Sequence, residues 1–284
     1  MSDTLLTHEP LIRGAVFTLV LLSMAVWEVV AGQRPQRYLR RQRWPSNLLI
    51  VALDTLAVRL VFPLAAVGTA LVAAEHGWGI LNMVAIPVWL AVAASVVVLD
   101  LAIYFQHRLF HAVPWLWRLH RMHHADLEFD VTTGLRFHPL EILISRGIKL
   151  AVVAVLGAPA LSVLIFEVVL NATSMFNHGN VRLPVRGDRW LRLLVVTPDM
   201  HRVHHSIVRR ETDSNFGFNL PWWDRLFGTY RDQPAAGHLG MTIGIEDFRE
   251  LRDLRLDRML IQPFLNPHRH REAVSPLRDC CPFR

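Results

Sequence analysis

Three long apolar runs constrain the fold of this chain more than any other feature. They extend from Leu11 to Ala31, from Leu48 to Ala74 and from Met83 to Phe105. Each run is close to or longer than the roughly 20 residues that cross about 30 Å of hydrocarbon as a helix. Backbone groups inside a bilayer must satisfy one another, which favours helices. The sequence therefore predicts an all-α, polytopic membrane protein.

The charged residues between these runs predict an orientation. The segment 33–44 carries five arginines and no acid, whereas the connection 75–82 has neither Lys nor Arg. The positive-inside rule therefore places the first segment in the cytoplasm. The first run lacks a basic start and a small-residue cleavage site, so we interpret it as a retained anchor. Lys149 is the single lysine, a bias typical of GC-rich genomes, and we predict a bacterial inner membrane.

A fourth apolar region, residues 140–176, predicts a helical hairpin. Gly157, Ala158 and Pro159 interrupt it and leave two arms of roughly 17 residues, each about 25 Å long. A hairpin returns to the side from which it starts. His138 and His178, which flank it, should therefore lie on the same face.

The chain after Gly179 contains no run long enough to span a membrane and is rich in charged residues. We expect it to form a cytoplasmic cap of helices and loops. This gives three predicted domains: N-terminal spans over 1–95, a histidine-rich domain with the hairpin over 96–232, and a C-terminal cytoplasmic tail over 233–284.

Fifteen histidines are present, and eight of them have helical spacing. Residues at i, i+3 and i+4 share one face of a helix. The three sets are His107 and His111; His120, His123 and His124; and His201, His204 and His205. Eight neighbouring imidazoles would repel one another if protonated and would lack partners if buried. Imidazole binds Zn, Cu, Fe and Ni, and eight nitrogens exceed what one ion accepts, so the pattern predicts a dinuclear metal centre.

Several other functions lack their sequence signatures. The net charge of +6 is explained by arginines that flank the spans, so we predict no nucleic-acid binding. Cys280 and Cys281 are too few for an iron–sulfur site. The sequence has no HExxH, GxSxG or GxGxxG motif and no Glu-x-x-His pair, which argues against zincins, α/β-hydrolases, dinucleotide enzymes and carboxylate-bridged di-iron bundles.

Six segments between about residues 100 and 230 together resemble the fatty acid hydroxylase superfamily, in particular its bacterial sterol desaturase-like branch. They are HRLFH, LWRLHRMHH, RFHPLE, FNHGN, TPDMHRVHH and NFGFNLPWWDRLFGTY, in this order. The resemblance implies a membrane-bound, non-haem di-iron oxygenase that hydroxylates or desaturates a C–H bond of a lipid with O2. It further implies electrons from a separate ferredoxin- or cytochrome b5-type donor, since the sequence shows no flavin, haem or cytochrome domain.

The same resemblance implies ten iron ligands. These are His107, His111, His120, His123, His124, His138, His178, His201, His204 and His205. A carboxylate often accepts the second N–H of a metal-bound imidazole, and Asp199 is our candidate for this role. We expect four other acids near the motifs to be solvated: Asp100, Asp126, Glu128 and Asp130.

Other interpretations stay open on the sequence alone. A zinc hydrolase acting on a membrane substrate is one, although catalytic zinc usually has only three protein ligands. A metal transporter or sensor is another, although its ligands should lie within the spans. Asp54 and Arg59 do lie inside the second run, where an ionisable residue is either functional or paired within the bundle. The sequence leaves sterol, fatty acyl, ornithine-lipid, carotenoid and ether-lipid substrates open.

Overall fold

The computed structural model describes residues 2–266, which contain helices and no named strand. The longer part of the fold consists of α1 (Ser2–Thr7), α2 (Glu9–Val30), α3 (Arg40–Val61), α4 (Ala66–Glu75), α5 (Val88–Ala112), α6 (Pro114–His124), α7 (Pro139–Leu156) and α8 (Ala160–Asn177). Shorter helices follow: α9 (Val185–Leu191), α10 (Pro198–His204), α11 (Arg209–Thr212), α12 (Trp222–Leu226), α13 (Gly237–Gly240) and α14 (Leu256–Ile261). The predicted all-α class is confirmed, and Cys280 and Cys281 lie outside the described residues.

Within residues 2–266, four stretches are long and apolar enough to cross a membrane: Glu9–Val30, Arg40–Asn82, Val88–Ala112 and Ala160–Asn177. The 22 residues of α2 measure about 33 Å, which matches the thickness of the hydrocarbon layer. Large apolar side chains on α2 point away from the bundle, with Leu11 70% and Leu22 60% exposed. Such a surface fits a membrane protein whose outer face contacts lipid.

The second apolar run belongs to one candidate span but is not one continuous helix. It forms two helices, because α3 ends at Val61 and α4 begins at Ala66. Pro63 lies between them, lacks an N–H and disfavours helical geometry in the residue before it. Phe62 is accordingly extended, with φ −119° and ψ 91°. The short helix α4 then packs against both α7 and α8.

The predicted hairpin is confirmed as α7 and α8. Gly157 follows α7 in the left-handed region, with φ 69° and ψ 41°, a conformation that glycine adopts without a Cβ clash. Pro159 then precedes α8 with an extended backbone. His138 caps the start of α7 and His178 follows the end of α8, so both lie at the open end of the hairpin.

The loop after α6 is fixed to α3 by buried ion pairs. Arg43, fully buried in the first turns of α3, donates to Asp126 at 2.7 and 2.9 Å and to Asp130 at 2.5 Å. Burial raises the pKa of Asp126, but the coulombic effects of Arg43 and Arg136 outweigh it and lower that pKa to about 2. The loop therefore carries ionised carboxylates whose charge the guanidinium groups neutralise.

The segment after residue 232 packs onto the same body as far as the structure describes it. α14 contacts α3, and Arg118 in α6 donates to the carbonyl of Pro263 at 2.6 Å. Arg121 donates to the carbonyl of Leu265 at 2.7 Å. These contacts hold the outer side of α6 in place, while the boundaries of the three predicted domains stay a prediction.

Candidate metal centre

Nine of the ten predicted ligands converge on one buried volume. α5 contributes His107 and His111, α6 contributes three histidines, and α10 with its C-cap contributes three more. His178, the residue after α8, completes the set. All nine side chains are buried, none more than 4% exposed. The histidine triplets are therefore interior groups rather than a solvated face.

Local signals make the two short histidine helices begin where they do. α6 starts with Pro114 at its first position, where the missing N–H costs no hydrogen bond. α10 starts in the same way with Pro198, and the hydroxyl of Thr197 accepts a hydrogen bond from the backbone N–H of Met200. Helical spacing from these starts turns each triplet toward the same interior.

The histidines form two groups whose possible ligand atoms all lie within 4.8 Å of one another. The first group is His107, His111, His120, His124 and His204. The second group is His123, His178, His201 and His205. Each triplet is divided between the groups, because α6 and α10 both run between them. Each set could hold a metal ion, while a centre of two ions stays a prediction.

Hydrogen bonds from Nδ1 fix the orientation of most rings. His107 lies 2.8 Å from the carbonyl of Phe216, and His178 lies 2.7 Å from the carbonyl of Ser174. His204 and His123 contact the carbonyls of Ser214 and Arg136 at 2.7 and 3.2 Å. A carbonyl oxygen only accepts, so Nδ1 carries the proton in these rings. Their Nε2 atoms therefore present lone pairs to the centre.

The distances between these Nε2 atoms fit a bound cation. The Nε2 atom of His178 lies 3.2 Å from that of His123, 3.1 Å from that of His201 and 3.2 Å from that of His205. In the first group, His107 and His120 approach at 3.1 Å. Ligands bonded at about 2.1 Å to one ion are about 3 Å apart. His123 and His178 both have Nδ1 at a carbonyl oxygen, so their facing lone pairs repel at this distance unless a positive ion lies between them. This arrangement fits a bound metal ion.

Electrostatics keep these imidazoles in the form that binds metals. Burial lowers the pKa of His120 and of His178 to about 3. Burial, and then the neighbouring imidazoles, lower the pKa of a further set well below the ordinary value: His123, His124, His201, His204 and His205. The rings are therefore neutral near pH 7, and their lone pairs are available.

His138 does not join either group, contrary to the expectation that it is a ligand. Its Nδ1 accepts a hydrogen bond from the backbone N–H of Leu140 at 3.1 Å and so caps α7. Its Nε2 lies 3.1 Å from the carbonyl of Leu260. Both ring nitrogens are thus used, and the FHP segment serves to begin the hairpin.

Asp199 also differs from expectation, because neither of its partners belongs to the two histidine groups. Its carboxylate pairs with Arg202, three residues later on α10, and lies 3.7 Å from His238, a histidine outside both groups. The four acids expected in solvent are instead buried, at 8% exposure or less. Asp100, for example, accepts a hydrogen bond from Trp223 at 2.8 Å. Their sequence neighbourhood showed no sign of the distant partners that bury them.

Two carboxylates outside the predicted set contact the first group. Oε1 of Glu141, in α7, lies 2.6 Å from Nδ1 of His120. Oδ1 of Asp213 lies 3.2 Å from Nδ1 of His111. Carboxylates in this position set the tautomer and the ring direction of metal-bound histidines. Glu141 belongs to the RFHPLE segment, and the family resemblance of this segment is the sequence feature that could have indicated its role.

The WWDRLFGT segment holds the site from its outer side. Asp224 in α12 accepts backbone hydrogen bonds from Phe216 at 2.8 Å and Gly217 at 2.9 Å. Phe216 in turn supplies the carbonyl that orients His107. Gly228 ends the segment in a turn with φ 71°. The segment therefore positions a carbonyl of the site, in addition to packing aromatic rings.

A cavity of about 660 Å³ adjoins the first group and extends between the long helices. His107 and His120 line its inner end together with aromatic side chains such as Phe110, Phe137 and Phe218. A volume of this size accommodates a drug-sized molecule or part of a lipid. The site can therefore be reached from between the membrane-spanning helices.

Comparison with known proteins finds a family model that matches the segment with these motifs. Residues 92–229 match the family model described as fatty acid hydroxylase, and the predicted resemblance to that superfamily is thereby confirmed. The ornithine lipid hydroxylase OlsE of Rhizobium tropici is 32% identical over 158 residues, which cover 55% of this chain and 47% of that protein. Assignment to the sterol desaturase-like branch stays a prediction.

Two further relatives are animal enzymes by name. Human alkylglycerol monooxygenase is 28% identical over 54% of this chain and 33% of its own length. Rat cholesterol 25-hydroxylase is 27% identical over 49% of this chain and 46% of its own length. The chain thus spans half or less of the length of these relatives. No solved structure matches it significantly.

Proposed function

We propose that this protein is a membrane-bound, non-haem di-iron oxygenase that hydroxylates a C–H bond of a lipid. The proposal rests on the two adjacent groups of five and four histidines. Within each group, facing Nε2 atoms lie about 3 Å apart. The names of the relatives, all lipid hydroxylases or monooxygenases, favour hydroxylation over desaturation.

The chain's own residues hold and orient the site. With two iron ions bound, the centre would convert R–H, O2, two electrons and two protons into R–OH and water. The carbonyls of Phe216, Ser174 and Ser214, together with Glu141, keep the ring nitrogens directed inward. Because six of the nine imidazoles are held through Nδ1, metal binding at these rings requires little reorganisation.

Burial of the histidines excludes water from the reacting region, which suppresses side reactions of an oxidising site. The cavity beside His107 and His120 supplies an approach for a lipid from the bilayer. The electrons would come from a separate ferredoxin- or cytochrome b5-type protein. We further propose the bacterial inner membrane as the location, with the metal site on the cytoplasmic side.

Iron content and product formation test this function directly. The full-length protein is purified anaerobically, and iron per chain is measured by mass spectrometry for the wild type, His123→Ala and His138→Ala. We expect about two irons in the wild type, a marked loss in His123→Ala, and retention in His138→Ala, because His138 lies outside both groups. Lipids from cells grown under 18O2 should carry one labelled oxygen only when the active protein is present.

Two results would contradict the proposal. Full activity and iron content in His123→Ala would exclude the second group as a metal site. Zinc as the sole metal that supports a lipid-modifying activity, without 18O in the product, would favour the hydrolase interpretation instead.

A further inference from the structure

The cavity beside the first histidine group carries an unusual set of charges for a space between membrane-spanning helices. Four basic and four acidic side chains line it, besides the histidines. Ionisable residues at this depth are costly and typically have a partner or a ligand. The distribution of these charges along the cavity therefore indicates what the cavity holds.

Three of the four basic side chains cluster on one carboxylate, and the fourth, Arg59, is an exposed residue of α3. Arg13, Arg146 and Lys149 place nitrogens 2.8, 2.8 and 2.9 Å from the oxygens of Glu167, which is 1% exposed. Arg13 also pairs with Glu9 at 2.7 Å. Three cations and two carboxylates leave one positive charge in this cluster. An anionic group in the cavity would neutralise it.

Asp54 provides a buried carboxyl group elsewhere in the same cavity. It lies in α3, is 8% exposed, and its Oδ1 has no hydrogen-bond partner among the described residues. Glu141, the acid that α7 contributes to the cavity lining, is already engaged with His120. A buried carboxyl oxygen without a partner is unfavourable, and an ammonium group beside Asp54 would donate to this oxygen and stabilise the ionised carboxylate.

Residue separations along α7 and α8 give the distance between the cationic cluster and the histidine groups. Lys149 follows Glu141 by eight residues of α7, which is about 12 Å at 1.5 Å per residue. Glu167 precedes Ser174, the carbonyl partner of His178, by seven residues of α8, about 10 Å. The cationic cluster therefore lies about 10 Å from the histidine groups, and the cavity connects the two.

We propose that this cavity binds the zwitterionic head group of a membrane lipid. Its anionic group pairs with Arg13, Arg146 and Lys149, and its ammonium group pairs with Asp54. The inference rests on the proposed function and names the substrate class for it. The oxidised carbon then lies about 10 Å from the anionic group. An uncharged sterol or hydrocarbon would leave both Asp54 and the surplus positive charge without partners.

Three matched probes test this assignment by binding rather than by turnover. N-lauroyl-lysine carries a carboxylate and an ammonium, N-lauroyl-norleucine only the carboxylate, and the methyl ester of N-lauroyl-lysine only the ammonium. Binding to the full-length protein in a non-ionic detergent is measured by titration calorimetry. We expect the wild type to bind the zwitterion at least about tenfold more tightly than either other probe, as each charged contact contributes that much.

Variants assign each charge to its residue. Asp54→Asn should weaken the two ammonium probes about tenfold and leave N-lauroyl-norleucine unchanged. Arg146→Gln should weaken the two carboxylate probes and spare the methyl ester. Asp257→Asn, the same change at a side chain that is 59% exposed, should alter none of them.

Equal binding of the three probes by the wild type would overturn the proposal, and this comparison holds even if a variant fails to fold. Uniform loss of all three probes in a folded Asp54→Asn protein would also overturn it. If the three probes bind equally while cells still produce an 18O-labelled lipid, only the head-group assignment is wrong. If iron and labelled product are absent, the proposed function falls with or without probe binding.

Discussion

Oε1 of Glu141 lies 2.6 Å from Nδ1 of His120, and both side chains are buried. This contact joins the first turn of the α7–α8 hairpin to α6, the helix that supplies three metal-binding candidates. Glu141 accepts the proton that His120 must carry on Nδ1 if its Nε2 is to bind a metal. We therefore regard Glu141 as a positioning residue.

Glu141→Ala should lower the iron affinity of the protein by about 10- to 100-fold, the usual effect of removing such a carboxylate. Glu141→Gln should be milder, because its amide oxygen still accepts from Nδ1. Iron titration of the metal-free protein measures both. An equal loss in the two variants would show that the negative charge, rather than the hydrogen bond, matters.

Gly134→Ala should disturb the second histidine group. A Cβ at this position would lie 2.5 Å from the carbonyl oxygen of Ser174 and 3.0 Å from Nδ1 of His178, so the ring must move away from its carbonyl partner. We expect loss of bound iron by metal analysis with the overall helix content retained. Gly68→Ala is the matched control, because its new Cβ would meet its nearest neighbour at an ordinary 3.6 Å.

Arg43→Gln should destabilise the protein by about 3 to 5 kcal/mol, because it leaves Asp126 and Asp130 as buried charges without a full partner. Thermal unfolding in detergent measures the change. Arg41→Gln, an exposed neighbour on the same helix, should have little effect. Similar melting temperatures for both variants would mean that the buried pairs do not stabilise the fold.

The metal-free protein should lose stability in acid. The pKa values of His120 and His178, about 3 when folded, lie below their ordinary value of 6.5 because of burial. The unfolded chain therefore binds more protons below about pH 6.5, and this contribution to stability, complete above that pH, declines as the pH falls toward about 3. Thermal unfolding after chelation, at pH 7.5 and pH 5, measures it. A higher melting temperature at pH 5 would contradict the burial of neutral rings.

Local patterns in the sequence predicted the parts of the structure that depend on neighbours along the chain. Gly157, Ala158 and Pro159 predicted the hairpin because glycine and proline end helices through their own backbone geometry. The histidine triplets gave shared faces because helical spacing is fixed. The convergence of His178 with His123 came only from family resemblance, since 55 residues separate them.

The predictions failed where contacts between residues far apart in the sequence determine the surroundings of a side chain. Asp126 was expected in solvent, but Arg43 pairs with it from another helix. His138 was expected at the metal, but the start of α7 and the carbonyl of Leu260 occupy its nitrogens. The second apolar run differs for a local reason instead, because Pro63 divides it into α3 and α4.

The division of each histidine triplet between the two groups has a consequence for how the protein acquires its metals. α6 and α10 each contribute to both groups, so an ion that enters one group immobilises the helices that shape the other. The second ion then meets a site whose ordering entropy has already been lost. Uptake should be cooperative, and a singly loaded form should be scarce during titration.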